Sequence, residues 1–229
     1  MISKHTPGTA QCIIFDCDGV LVDSEIIATR TSLRMLRPFG ITMSVEEYSR
    51  LFAGKVEEDI LRIIEQKYGV AFPPDFTARL QQEITHCLDH ELQPIPGMKA
   101  IVAEVALPKA VVSNSRMVRL NASLNVAGLS DFFGDHVFAV DLVDNPKPAP
   151  DLYLHAARQL GVAPAACLVV EDSLSGATAA HRAGMPVIGF LAASHILAGH
   201  ADTLLEVGAY TTAATASELA EHLRAAGAM

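Results

Sequence analysis

Short runs of uninterrupted apolar residues, each cut off by polar ones, constrain this chain most. The first is Cys12-Ile13-Ile14-Phe15, which stops abruptly at Asp16. Similar runs follow at Ala110-Val111-Val112, Val137-Phe138-Ala139-Val140, Cys167-Leu168-Val169-Val170 and Val187-Ile188-Gly189-Phe190. A strand with no polar alternation suits a parallel sheet buried on both faces. Helix-patterned stretches lie between them, such as Asp151 to Leu160 and Leu174 to Ala183. Strands alternating with helices at this spacing predict an α/β fold: a three-layer, doubly wound parallel sheet.

The segment from about Glu25 to about Pro94 breaks that rhythm. Its apolar residues recur at helical spacing, as in Leu33, Leu36 and Phe39, then Ile60, Leu61, Ile63 and Ile64, then Leu80, Ile84 and Leu88. No strand run interrupts it. The expectation is an inserted helical domain over residues 20–94, with residues 1–19 and 95–229 forming the α/β core. Pro94-Ile95-Pro96-Gly97 is the expected return hinge.

Composition then limits the function classes. Half of the 229 residues are hydrophobic, enough for a sizeable core. A formal net charge of −9 speaks against a nucleic-acid partner, which calls for a basic stripe. It does not oppose an anionic small molecule, because a local pocket can reverse the global sign. No apolar run reaches membrane-spanning length, and MISKHTPGTAQ lacks a signal-peptide core, so no membrane partner and a cytoplasmic location are expected. Cys12, Cys17, Cys87 and Cys167 form no CxxC pair and read as free thiols.

In an open α/β sheet, ligands bind beyond the carboxyl ends of the strands. Polar residues after each apolar run are therefore the candidates. The first run leads into Asp16-Cys17-Asp18-Gly19, the second into Ser113-Asn114-Ser115-Arg116, the third into Asn145-Pro146-Lys147, and the fourth into Glu171-Asp172-Ser173. Asp-x-Asp-Gly by itself reads equally as a turn. Four strand ends together supply carboxylates, a lysine and a hydroxyl, the inventory for a metal-bound phosphate.

On these four motifs, in this order, the chain resembles the haloacid dehalogenase-like hydrolases. The branch is the one with a helical cap between the first and second motifs, which includes sugar-phosphate phosphatases and β-phosphoglucomutase-like proteins. The resemblance runs from about Ile13 to about Leu223. It implies Mg²⁺ as cofactor and a small phosphorylated metabolite as substrate. Asp16 would be the nucleophile that forms an aspartyl-phosphate, and Asp18 the general acid and then base. Ser113 would bond a phosphate oxygen and Lys147 would neutralise nucleophile and phosphate. The metal would be held by Asp16, Asp172 and the backbone carbonyl of Asp18, with Glu171 contributing directly or through water. Asn114, Arg116 and Lys55 are the further substrate-binding candidates, Lys55 beside Gly54 in the loop where relatives set specificity. Pro146 replaces the glycine many relatives carry before the lysine, and Ser-Asn-Ser replaces Thr-Ser-Ser; both leave the reacting groups in place.

Bland readings cover the remaining polar residues. His86 and His90, four apart, read as a solvated helix face, as do His195 and His200 in a polar stretch. Asp23 and Ser24 read as the N-terminal cap of the first inserted helix. Among rival functions, Asp18 speaks against a dehalogenase. Retention of Asp16, Asp18, Lys147 and Asp172 speaks against an inactive sugar-phosphate-binding protein. A phosphomutase needs a second phosphate site on the cap, and Glu57-Glu58-Asp59 after Lys55 disfavour one.

Overall fold

The computed structural model describes residues 5, 8–52, 55 and 57–229. Six parallel strands form one sheet: β1 (Cys12–Phe15), β2 (Lys109–Ser113), β3 (Val137–Ala139), β4 (Cys167–Glu171), β5 (Val187–Phe190) and β6 (Thr211–Ala213). Their spatial order is β3-β2-β1-β4-β5-β6, the arrangement of a doubly wound α/β fold. Chain order reverses at β1, whose neighbours are β2 and β4, with Phe15 in register with Val111 and Val170. That reversal opens a crevice at the carboxyl edge, where Asp16 follows β1.

Burial explains why the apolar runs became strands. All four residues of β1 and all five of β4 are buried. Cys12, Ile14, Val112, Val169 and Val187 join one core with Leu152, Tyr153 and Ala156, and with Ala177, Ala180 and Leu204. Ile13 and Phe15 alternate to the other face, where Phe15 packs edge-on against Phe133 with ring centroids 6.2 Å apart. Two details depart from the sequence expectation. β3 ends at Ala139, with Val140 opening a 3₁₀ turn, and β6 has no apolar run at all.

One unit of the chain runs up to Asp23 and resumes at Gln93; the other is Ser24–Leu92. The second contains only helices among its described residues: α1 (Ser24–Leu36), α2 (Val45–Phe52), α3 (Glu57–Tyr68) and α4 (Phe76–Glu91), plus a 3₁₀ turn. Leu36, Ile41, Tyr48, Phe52, Ile60, Leu61, Ile64, Phe76 and Leu80 form its core, so the helical spacing in the sequence marks the buried face. In the sheet-bearing unit, α5 (Met98–Glu104), α6 (Met117–Val126), α7 (Asp151–Leu160), α8 (Leu174–Arg182), α9 (His200–Glu206) and α10 (Ala216–Ala225) complete the α/β pattern. The chain is therefore an α/β fold with a parallel six-stranded sheet and an inserted helical domain. Among the described residues, no helix is long and apolar enough to cross a membrane.

The two crossings between units are tied together. Val22 bridges Pro94 in antiparallel fashion, and Ile95 N–H donates to the Leu21 carbonyl at 3.0 Å. The Asp23 carboxylate accepts from the backbone N–H and the hydroxyl of Ser194. All four cysteines are free and buried.

Candidate active site

Lys147 organises the strand ends. It reaches in from the loop before α7, and the residue is only 6% exposed. Nζ donates to Asp16 Oδ1 at 2.6 Å, to Glu171 Oε1 at 2.7 Å and to the Val112 carbonyl at 2.9 Å. Three protons meet three acceptors, one from each of β1, β4 and β2 or their ends. The Tyr153 ring lies under the ammonium, its centroid 4.9 Å away. Burial alone would lower the Lys147 pKa, but the Asp16 and Glu171 carboxylates override it and hold the pKa well above the ordinary lysine value.

Asp16 is pushed the other way. Burial raises its pKa well above the ordinary carboxylate range; Lys147 opposes that shift, while Glu171, Asp172 and Asp18 add to it. A carboxylate in such a place is held ionised by cations, and Lys147 is the one at hand. Cys17, the next residue, is also buried, and burial with the flanking Asp18 and Asp16 charges raises its thiol pKa far above the usual value. A thiol held protonated there has no nucleophilic role.

Glu171 is fully buried and its carboxylate is saturated. Oε1 accepts from Lys147 and from the Tyr153 hydroxyl at 3.1 Å; Oε2 accepts from Ser173 N–H at 2.9 Å and Ser173 Oγ–H at 3.0 Å. Two bonds on each oxygen use its accepting capacity. Ser173 also caps α8, taking the Gly176 N–H at 3.0 Å. Gly176 has no alternative residue: a Cβ there would lie 1.5 Å from Glu171 Oε1.

The Asp18 carboxylate turns to β2. Its Oδ2 accepts from Ser115 Oγ at 3.0 Å and from Ser113 Oγ at 3.4 Å. Ser113 Oγ in turn accepts from Ser115 N–H at 3.0 Å. The Asn114 carboxamide is engaged with the backbone of Lys147, donating to its carbonyl at 3.1 Å and accepting its N–H at 3.0 Å. It thus clasps the β2 end to the lysine loop. Arg116 is exposed where α6 begins, with an extended backbone. Lys55 is exposed in the helical unit; its neighbour Gly54 lies outside the described residues.

Asp16, Glu171 and Asp172 bring carboxylate oxygens within 4.8 Å of one another, close enough for one cation. An all-oxygen donor set fits a hard divalent ion such as Mg²⁺. With Glu171 saturated, Asp16 Oδ2 and the Asp172 carboxylate are the side-chain groups best suited to it. Asp172 is 3% exposed, and burial raises its pKa to about 6, against the opposing hydrogen bond from His195.

Sequence reasoning named Asp16, Asp18, Ser113, Asn114, Lys147, Glu171 and Asp172, and all of them meet at this edge. It did not name Tyr153, gave Ser115 no role of its own, and read His195 and His200 as solvated residues. Ser115 was within reach, since it stands in the same strand-end motif as Ser113. Tyr153 carried no local signal, because its partners Lys147 and Glu171 are joined to it only by the fold.

A model of the haloacid dehalogenase-like hydrolases matches residues 13–190. The 6-phosphogluconate phosphatase of Escherichia coli K12 is 33% identical over 186 residues, covering 81% of this chain and 84% of that one. A conserved haloacid dehalogenase-like protein of unknown function from Agrobacterium tumefaciens superposes with a TM-score of 0.87 at 38% identity, over 95% of this chain and 99% of that one. A haloacid dehalogenase-family hydrolase from Deinococcus radiodurans, solved with bound phosphate and sodium, gives 0.87 at 31% identity, over 96% and 98%. Sequence motifs, sheet order and these matches agree, and the chain belongs to the haloacid dehalogenase-like hydrolase family.

Proposed function

We propose that this protein is a Mg²⁺-dependent phosphatase that hydrolyses a small sugar phosphate or sugar-acid phosphate through an aspartyl-phosphate on Asp16. The observation that carries this reading is the buried lysine held between Asp16 and Glu171 at the point where strand order reverses. The likeness to a 6-phosphogluconate phosphatase supports the substrate class.

Phosphoryl transfer depends mainly on positioning and on neutralising charge. Lys147 fixes Asp16 Oδ1 and cancels part of its charge, so a phosphate dianion can approach. Glu171 and Tyr153 keep the ammonium in place rather than reacting themselves. In the first step an Asp16 oxygen bonds to phosphorus while the bond to the sugar oxygen breaks, and Asp18 gives its proton to that oxygen. In the second, water attacks the aspartyl-phosphate, Asp18 takes the proton, and Asp16 leaves as carboxylate with inorganic phosphate released. Ser113 and Ser115 orient Asp18 between these duties. Mg²⁺, held by Asp16, Asp172 and the Asp18 carbonyl, would supply the positive charge the phosphate oxygens need. Glu171 acts on this site indirectly, through Lys147. Arg116, exposed where α6 begins, is a further candidate substrate contact.

Water rather than a second sugar hydroxyl is the proposed acceptor, because the sequence Lys55-Val56-Glu57-Glu58-Asp59 carries three acids and no arginine for a second phosphate. The test is a panel of sugar phosphates and sugar-acid phosphates, incubated with Mg²⁺ or with chelator. Phosphate release that requires Mg²⁺ and is lost in Asp16→Asn is expected. No release from any member, or full release by Asp16→Asn, would overturn the reading. Conversion of glucose 1-phosphate, given catalytic bisphosphate, to glucose 6-phosphate with little free phosphate would assign a mutase instead.

A further inference from the structure

Two imidazoles converge on Asp172 from the segment that follows β5. His195 Nε2 lies 3.1 Å from Asp172 Oδ2. His200, the first residue of α9, places Nε2 2.5 Å from the Asp172 backbone carbonyl. A carbonyl oxygen only accepts, so His200 Nε2 carries a proton; an ionised carboxylate imposes the same on His195. The same carboxylate is pressed against Gly19, where a Cβ would stand 1.9 Å from Oδ2. The loop that presents His195 is itself anchored. Leu191 N–H donates to the Ala213 carbonyl at 2.9 Å, and Ser194 holds the Asp23 carboxylate with both its N–H and its hydroxyl.

The His195 ring is 26% exposed, but its partner's side chain is only 4% exposed, so the bond acts at a desolvated oxygen. That separates it from an ordinary surface pair, which contributes little. A buried carboxylate with a free χ2 torsion has no intrinsic reason to keep a single orientation. The imidazole and the Gly19 backbone together remove that freedom.

We propose that His195 is a positioning residue for the divalent cation: it fixes the Asp172 carboxylate that, with Asp16, would hold the ion, while His200 fixes the Asp172 backbone. The proposal rests on the Mg²⁺-dependent reading above. Groups that orient a metal ligand in this way typically change affinity by about 10- to 100-fold when removed.

The experiment titrates Mg²⁺ into substrate-free protein by calorimetry, for the wild type, His195→Leu and His195→Gln. His195→Leu should weaken Mg²⁺ binding by about tenfold or more. His195→Gln, which can still donate, should recover most of the loss. In turnover assays the Mg²⁺ concentration for half-maximal rate should rise in His195→Leu, with kcat at saturating Mg²⁺ close to wild type. Wild-type Mg²⁺ affinity in His195→Leu, or equal loss in both variants, would overturn the positioning role while leaving the phosphatase reading intact. Absence of Mg²⁺ binding by the wild type would overturn both. Circular dichroism confirms folding; should His195→Leu unfold, His195→Ala read against His195→Asn applies the same criteria.

Discussion

The two units of this chain handle charge in opposite ways. In the sheet-bearing unit, Asp16, Lys147, Glu171 and Asp172 are all buried and packed against one another. In the helical unit the buried core is apolar, and the ion pairs Arg34–Glu83, Arg62–Asp59 and Arg79–Asp75 sit on its surface. A buried ion network is rarely the most stable filling for its volume, since desolvation consumes most of the Coulombic gain. It persists where chemistry requires it. The helical unit carries no such burden, so apolar packing alone decides its stability, and the same kind of substitution should have different consequences on the two sides.

Lys147→Met should give the largest effect. It removes the cation paired with two buried carboxylates, Asp16 and Glu171, and should abolish turnover. It should also cost about 3–5 kcal/mol of stability at neutral pH, as expected when one partner of a buried pair is lost. Chemical denaturation of metal-free protein measures this, and a loss below about 1 kcal/mol would show that the network is not under electrostatic load. Ile64→Ala, at a fully buried position of the helical core, should cost about 2–5 kcal/mol through cavity formation. Its destabilisation should be independent of Mg²⁺, whereas that of Lys147→Met should change when the metal is supplied.

Glu57 is the helical unit's exception. Burial, with Glu58 beside it, raises its pKa above the ordinary glutamate value. A carboxyl group whose folded pKa exceeds its unfolded one contributes stability at low pH that is lost as pH rises through the folded pKa. Glu57→Gln should therefore be more stable than wild type at pH 7, and the gain should vanish below about pH 4. Thermal unfolding across that range checks the sign; a gain that grows toward low pH would refute it. The smallest effect belongs to Arg62→Ala. It breaks an exposed i,i+3 pair and should change stability by less than about 1 kcal/mol, with the difference fading at high salt.

Much of this arrangement was legible in the sequence, for reasons that particular residues make clear. β1 and β4 were readable because strands buried on both faces are built from uninterrupted apolar runs, and Asp16 and Glu171 stood out as the first polar residues to end those runs. β6 was not readable: Thr211-Thr212-Ala213 lies at the sheet edge with one neighbour, and half-buried threonines leave no apolar run. Asn114 showed its polar character but not its use, because its partner is the backbone of Lys147, which has no sequence signature. His195 and His200 followed the fifth apolar run, so the strand-end rule applied to them too. Their distance from Phe190 made them look like ordinary loop residues.

The pairing of the two crossings has a consequence for how such chains diversify. Val22 and Pro94 are neighbours, so everything from Ser24 to Leu92 leaves and returns through one doorway in the core. An excursion whose ends already touch imposes almost no length requirement on what lies between, since loop-closure entropy grows only with the logarithm of length. β1 pairs with β2 and β4 whatever the excursion contains. The insertion can thus be shortened, exchanged or rebuilt by recombination at that doorway, and the catalytic sheet can be inherited unchanged by descendants that meet entirely different molecules.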